Sequence, residues 1–154
     1  MTSIKYAFIK AAWHAPIVDQ ALAGFCDVIP AHQVEVFQTP GAFEMPLLAK
    51  ELANSQKYGA IIAAALVVDG GIYRHEFVAQ SVVTGLMQVG LETGLPVLSV
   101  SLTPKDFHET DHHIEIFKRH FFGKGQEAAQ AVRMLQSSRQ PVTVAPSPAA
   151  VGVV

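Results

Sequence analysis

At 154 residues the chain is long enough to bury a sizeable core within one domain. Half of its residues are apolar, only 16% are charged and the net charge is −2, so there is no electrostatic case for a nucleic-acid partner. Cys26 is the only cysteine, which excludes an intrachain disulfide and a cysteine-rich metal site.

The N-terminus, Met1 to Lys10, sets lysines inside a strand-length apolar run, unlike a signal peptide. No stretch reaches the ~18 uninterrupted apolar residues of a membrane-spanning helix. A soluble, cytoplasmic protein with no membrane partner is expected. The low charge content and the excess of alanine, valine and leucine point to surface buried beyond the domain's own core, and hence to an oligomer.

Short apolar runs alternate with longer helical patterns. A strand is expected over residues 4–9, then a helix over 16–28, a strand over 34–37 and a helix over 43–53. The run 60–68 is apolar throughout, as suits a strand buried on both faces. Val78, Val82, Leu86 and Val89 fall near helical spacing within 77–92. A strand follows over 97–102. Thr103 and Pro104 then offer a cap and a first helical position for another helix, and a last helix is expected over about 125–136. This βαβαβαβαα order argues for a parallel sheet with helices on both faces. Residues 1–138 form the domain, and residues 139–154, with three prolines, form an extended tail.

Ligands of open parallel sheets sit beyond the carboxyl ends of the strands. Those ends carry Trp13-His14, then Pro40 to Glu44, then Asp69-Gly70-Gly71-Ile72-Tyr73-Arg74-His75-Glu76, then Ser99 to Pro104. Glu44 falls in a first helical turn, where free N–H groups favour negative charge. It reads either as a capping acid or as a carboxylate that accepts from ligand hydroxyls. Gly70-Gly71 lets backbone N–H groups approach an anion, or simply makes a tight turn. Arg74-His75-Glu76 puts a permanent cation, a titratable ring and a carboxylate side by side; a solvated first turn is the plainer alternative.

Pro40-Gly41-Ala42-Phe43-Glu44 resembles the Pro-Gly-(Ala/Ser)-Phe/Tyr-Glu motif of the lumazine synthase family. Trp13, Val67-Val68-Asp69-Gly70-Gly71 and Lys124-Gly125 match it at the expected places, and the resemblance spans about residues 4–136. It implies a three-layer αβα fold, with a four-stranded parallel sheet in the flavodoxin-like order 2-1-3-4. It also implies condensation of 5-amino-6-(D-ribitylamino)uracil with 3,4-dihydroxy-2-butanone 4-phosphate, releasing phosphate and two waters, in riboflavin biosynthesis. No cofactor or metal is implied, and self-association into pentamers is. On the same resemblance Trp13 stacks on the pyrimidine, whose edge Leu66, Val67 and Val68 line. Ala42, Phe43 and Glu44 hold the ribityl chain, Gly71 and Ile72 lie at the phosphate, and Lys124 approaches a ring carbonyl. Ser99, Val100 and His113 come from a neighbouring subunit.

Two departures stand out. Arg74 occupies the place of the family's proton-transfer histidine, with His75 one residue later. Arginine stays protonated and cannot act as a base, so the catalytic pair Arg74 and His75 divides its roles in one of two ways. His113 replaces the family's phosphate-binding arginine, with Arg119 and His120 following. This pattern resembles the divergent second type of the family, which implies decamers.

A rival reading rests on His108-Glu109-Thr110-Asp111-His112, which matches the H-E-x-x-H pattern of zinc hydrolases. On a helix, His108 and His112 would share a face, with Glu109 activating a metal-bound water. A further alternative, left open by Arg74, is a non-catalytic flavin- or lumazine-binding homologue.

Overall fold

The computed structural model describes residues 4–68, 74–105 and 107–139. The elements run β1 (Tyr6–Ala11), α1 (Ala15–Val28), β2 (Val34–Thr39), α2 (Met45–Asn54), β3 (Ala60–Leu66), α3 (His75–Thr93), β4 (Val97–Leu102) and α4 (Asp111–Arg139). All strand pairs are parallel and the sheet order is β2-β1-β3-β4, giving the expected αβα sandwich with flavodoxin-like order. Of the tail expected over residues 139–154, Arg139 is the last residue of α4, and 140–154 lie outside the described residues.

Side-chain alternation along the two central strands builds both layers. From β1, Tyr6 and Phe8 enter one core with Ala60, Ile62, Ala64 and Leu66 of β3, under α1 and α4. Ala7, Ile9 and Ala11 enter the other with Ile61, Ala63 and Ala65, under α2 and α3. Every residue of β3 is buried, as its uninterrupted apolar run predicts.

On the first face α1 and α4 touch backbone to backbone. A methyl group built on Gly24 would lie 2.0 Å from the Phe122 carbonyl oxygen, and one on Gly125 would lie 2.0 Å from that of Ala21. Glycine is what permits this approach.

The structure corrects two expectations. Thr103-Pro104 starts no helix, because the Thr103 hydroxyl is spent on the Val67 carbonyl at 2.7 Å. The real cap is Thr110, whose Oγ1 accepts the His113 N–H at 3.3 Å ahead of Asp111. The helix expected over 125–136 is the second half of the single helix α4. Its core stripe of Ile114, Phe117, Phe121, Ala128 and Val132 runs unbroken through the glycines at 123 and 125.

Candidate active site

The parallel pairing of β1 and β2 continues past both strands. The Ala12 N–H donates to the Thr39 carbonyl at 2.8 Å and the Trp13 N–H to that of Pro40 at 3.2 Å. The Thr39 hydroxyl donates to the Gly41 carbonyl at 2.8 Å, holding the turn from beneath. Residues Ala42–Glu44 form one 3₁₀ turn that feeds α2. The Gly41 N–H donates to Glu44 Oε1 at 2.8 Å. One carboxylate oxygen therefore serves as the capping acid, and the exposed side chain retains Oε2.

The Trp13 indole lies against Gly41. A methyl group there would sit 2.5 Å from Cζ3 and 2.6 Å from Cε3. Trp13, Gly41 and Glu44 thus share one place at the sheet's carboxyl end. Trp13 and Phe43 leave 66% and 64% of their surface exposed, uncommon for side chains of this size, while Ala42 is buried.

At the end of β3, Leu66 and Val67 are buried and Val68 is half-buried. The Val67 N–H donates to the Leu102 carbonyl at 2.9 Å, tying this end to β4. Gly71 and Ile72, with Asp69, Gly70 and Tyr73, lie outside the described residues. Arg74 and His75 point apart. The Arg74 guanidinium carbon lies 5.9 Å from the centre of the Phe77 ring, a cation–π contact on an exposed face. His75, only 8% exposed, turns inward: Nδ1 bonds Thr103 Oγ1, and Nε2 lies 3.0 Å from Glu76 Oε1. No local signal marked Thr103 as part of this group, since its partners are 28 and 36 residues away.

The remaining predicted residues stand elsewhere on the chain. Ser99 is exposed and Val100 buried, both in the middle of the edge strand β4. His113, in the first turn of α4, has ring contacts with His108, His112 and Phe117. Lys124, midway along α4, pairs with Glu127 at 3.4 Å. Among the described residues, no hydrogen bond, ion pair or ring contact joins Ser99, His113 or Lys124 to Trp13, Phe43 or Glu44.

The zinc-hydrolase geometry does not form. His108 and Glu109 precede α4, so His108 and His112 share no helical face; instead His113 Nδ1 accepts the His108 N–H at 3.2 Å. Among the described residues, no group of three or more His, Cys, Asp or Glu side chains is placed to hold a metal ion. Burial pushes the Cys26 thiol up from its ordinary range, which disfavours the nucleophilic thiolate. No helix of the described residues is long and apolar enough to cross a membrane.

Comparison with known proteins decides what this geometry belongs to. The family model for 6,7-dimethyl-8-ribityllumazine synthase matches residues 3–139. The chain belongs to the lumazine synthase family. It is 55% identical over 133 residues to the 6,7-dimethyl-8-ribityllumazine synthase of Rhodococcus erythropolis, covering 83% of this chain and 86% of that one. It is 54% identical to 6,7-dimethyl-8-ribityllumazine synthase 2 of Pseudomonas syringae pv. tomato, over 82% of this chain and 77% of the relative. For the synthase 2 of Bradyrhizobium diazoefficiens the figure is 51%, over 82% and 79%. Those names are compatible with the second type of lumazine synthase that the sequence resembles.

Within the lumazine synthase frame, Trp13 and Glu44 meet at Gly41, and His75 stands at the start of α3 with Thr103 and Glu76. Ser99, His113 and Lys124 remain outside the first of these groups.

Proposed function

We propose that the chain is a 6,7-dimethyl-8-ribityllumazine synthase: a cofactor-independent transferase that joins 5-amino-6-(D-ribitylamino)uracil to 3,4-dihydroxy-2-butanone 4-phosphate in riboflavin biosynthesis. The observation that carries this reading is the family match over residues 3–139. Incubating the purified protein with both substrates and following lumazine fluorescence tests it. Product formation that survives EDTA is the expected result. Tight lumazine binding without turnover would instead mark a non-catalytic homologue.

The chemistry asks little of the protein beyond placement. An aromatic amine adds to a ketone and loses water to give an imine; phosphate then leaves by elimination, the resulting enol tautomerises to a new carbonyl, and the ribitylamino nitrogen closes the ring on it with loss of another water. Holding amine and ketone together supplies much of the acceleration, and cations near the phosphate assist its departure. In our assignment Trp13 stacks on the pyrimidine, and Leu66, Val67 and Val68 line its edge. Ala42, Phe43 and Glu44 hold the ribityl chain, and Gly71 and Ile72 lie at the phosphate. The inward turn of His75 favours it as the acid–base group; Arg74, drawn over Phe77, acts through its fixed charge.

Two tests address the pyrimidine and ribityl contacts. Gly41→Ala forces the indole aside, but that side chain is exposed and able to move. Calorimetry should therefore show pyrimidine affinity falling about tenfold, within the range of base–aromatic stacking, while the unfolding midpoint stays near the parent's. Glu44→Gln keeps an oxygen for the Gly41 N–H and removes the charge, so its stability should match the parent while KM for the pyrimidine substrate rises. Glu44→Ala should raise KM and also cost about 1 kcal/mol of stability, through loss of the cap. Equal stability of the two Glu44 variants would contradict the dual role.

Self-association belongs to the same proposal. A neighbouring protomer supplies Ser99, Val100 and His113, and Lys124 approaches the pyrimidine carbonyl within the assembled pocket. Val83, Met87 and Leu91, exposed at four-residue spacing on α3, with Leu47 on α2, offer an apolar face suited to a second copy. Pentamers that pair into decamers, in the cytoplasm, complete the reading. Residues 1–138 are taken as the catalytic domain and 139–154 as its tail.

A further inference from the structure

We propose that Thr103 is a positioning residue for this reaction, fixing which nitrogen of His75 exchanges a proton with substrate; the proposal rests on the lumazine synthase reading above. A threonine hydroxyl has one proton to donate. Here it goes to the Val67 carbonyl oxygen, 2.7 Å away, so Oγ1 meets the imidazole only as an acceptor. His75 Nδ1, bonded to that oxygen, is therefore the donor and carries a hydrogen. The assignment follows from the count of protons in the chain of contacts, not from the ring's orientation alone.

The other face of the ring follows. Nε2 lies 3.0 Å from Glu76 Oε1, and that contact is attractive when Nε2 also bears a proton. The contacts then read, from inside outward, Val67 carbonyl, Thr103 hydroxyl, His75 Nδ1–H, His75 Nε2 and Glu76 carboxylate. The inner end of this relay is anchored in the sheet, because Val67 is buried and its own N–H is bonded to Leu102. Its outer end faces solvent, since the Glu76 side chain is 62% exposed. Nε2 is thus the nitrogen that delivers a proton to the departing oxygen and takes one back. Thr103 holds the ring so that Nδ1 does not compete for that role. An imidazole whose other nitrogen is pinned by a hydrogen bond has its reactive tautomer set in advance.

This role explains why a threonine at the end of β4, beside a proline, does not cap a helix: both of its hydrogen bonds lie across the sheet's carboxyl edge. A valine there is nearly the same shape and removes the hydroxyl that joins the Val67 carbonyl to His75 Nδ1. A serine keeps the hydroxyl.

The experiment is Thr103→Val and Thr103→Ser in the full chain, with steady-state kinetics across pH and nitrogen NMR of 15N-labelled histidine, the His75 signals being assigned by their loss in His75→Gln. Thr103→Val should lower kcat roughly tenfold or more, leave both KM values near the parent's, shift the pH profile of kcat and move the His75 Nδ1 signal. Thr103→Ser should restore all four. A Thr103→Val protein with the parent's kcat and His75 signals overturns the proposal. So does a Thr103→Ser protein as impaired as the valine variant, which would mark a packing role. If the valine variant fails to fold, the serine variant's pH profile and nitrogen signals decide alone: parental values support the relay, altered ones reject it. A parent that forms no lumazine removes the functional reading and leaves the NMR to judge whether Thr103 sets the tautomer.

Discussion

Gly125→Ala is expected to lower the thermal midpoint by roughly 6–12 °C, whereas Gly123→Ala, two residues earlier in the same helix, should raise it slightly. At Gly125 the added carbon falls 2.0 Å from the Ala21 carbonyl oxygen, 2.8 Å from its carbon and 2.9 Å from the Phe25 nitrogen. These are backbone atoms of α1, which cannot step aside as a side chain would. The two helices must separate, and the fully buried Val18, Phe25, Phe121 and Val132 lose packing with them. Overpacking costs typically about 1–3 kcal/mol; with backbone on both sides this case lies at the upper end, about 3 kcal/mol, and at this chain length each kcal/mol moves the midpoint by about 2–4 °C. At Gly123 a methyl group meets nothing within 4 Å. Alanine in a helix interior is favoured over glycine by about 0.5–1 kcal/mol. Thermal unfolding of the two variants at equal protein concentration checks the contrast, and equal shifts of the same sign would refute the close crossing.

His75→Ala should reduce kcat at least about a hundredfold, the lower part of the range for one acid–base group, without abolishing turnover. Placement of the two reactants supplies the remaining acceleration. Arg74→Ala should do much less, because its guanidinium lies over Phe77 on an exposed face. The measurement is steady-state lumazine formation by the two variants and the parent. An Arg74→Ala enzyme slower than His75→Ala would reverse the assignment of roles.

Residues that act through local rules were legible from the chain. The unbroken apolar run of β3 and the turn Pro40-Gly41 before a helix each gave their element, with ends displaced by no more than two residues. The strand β4 was found with its observed bounds. The sheet order was supplied by family resemblance, because hydrophobic pattern alone does not say which strands are neighbours. Trp13 and Glu44 were singled out and do meet at Gly41. Thr103 was misread because Thr-Pro is a common helix-start signal, and nothing local reveals that a hydroxyl is committed to a carbonyl 36 residues earlier. The zinc-site spacing misled for a related reason. It assumes a helix through His108, whereas Thr110 provides the better cap and α4 starts after it. Glycines at 123 and 125 disguised α4 as a late, short helix; of the two, Gly125 is the one that meets α1.

The indole against Gly41 has a practical consequence. Trp13 is the only tryptophan in the chain, so the indole emission of each protomer originates from a single position. In the assignment proposed above, that position is the floor on which a flat heterocycle would rest. Quenching on addition of the uracil substrate would then count occupied pockets directly, without a label, coupled enzyme or second reactant.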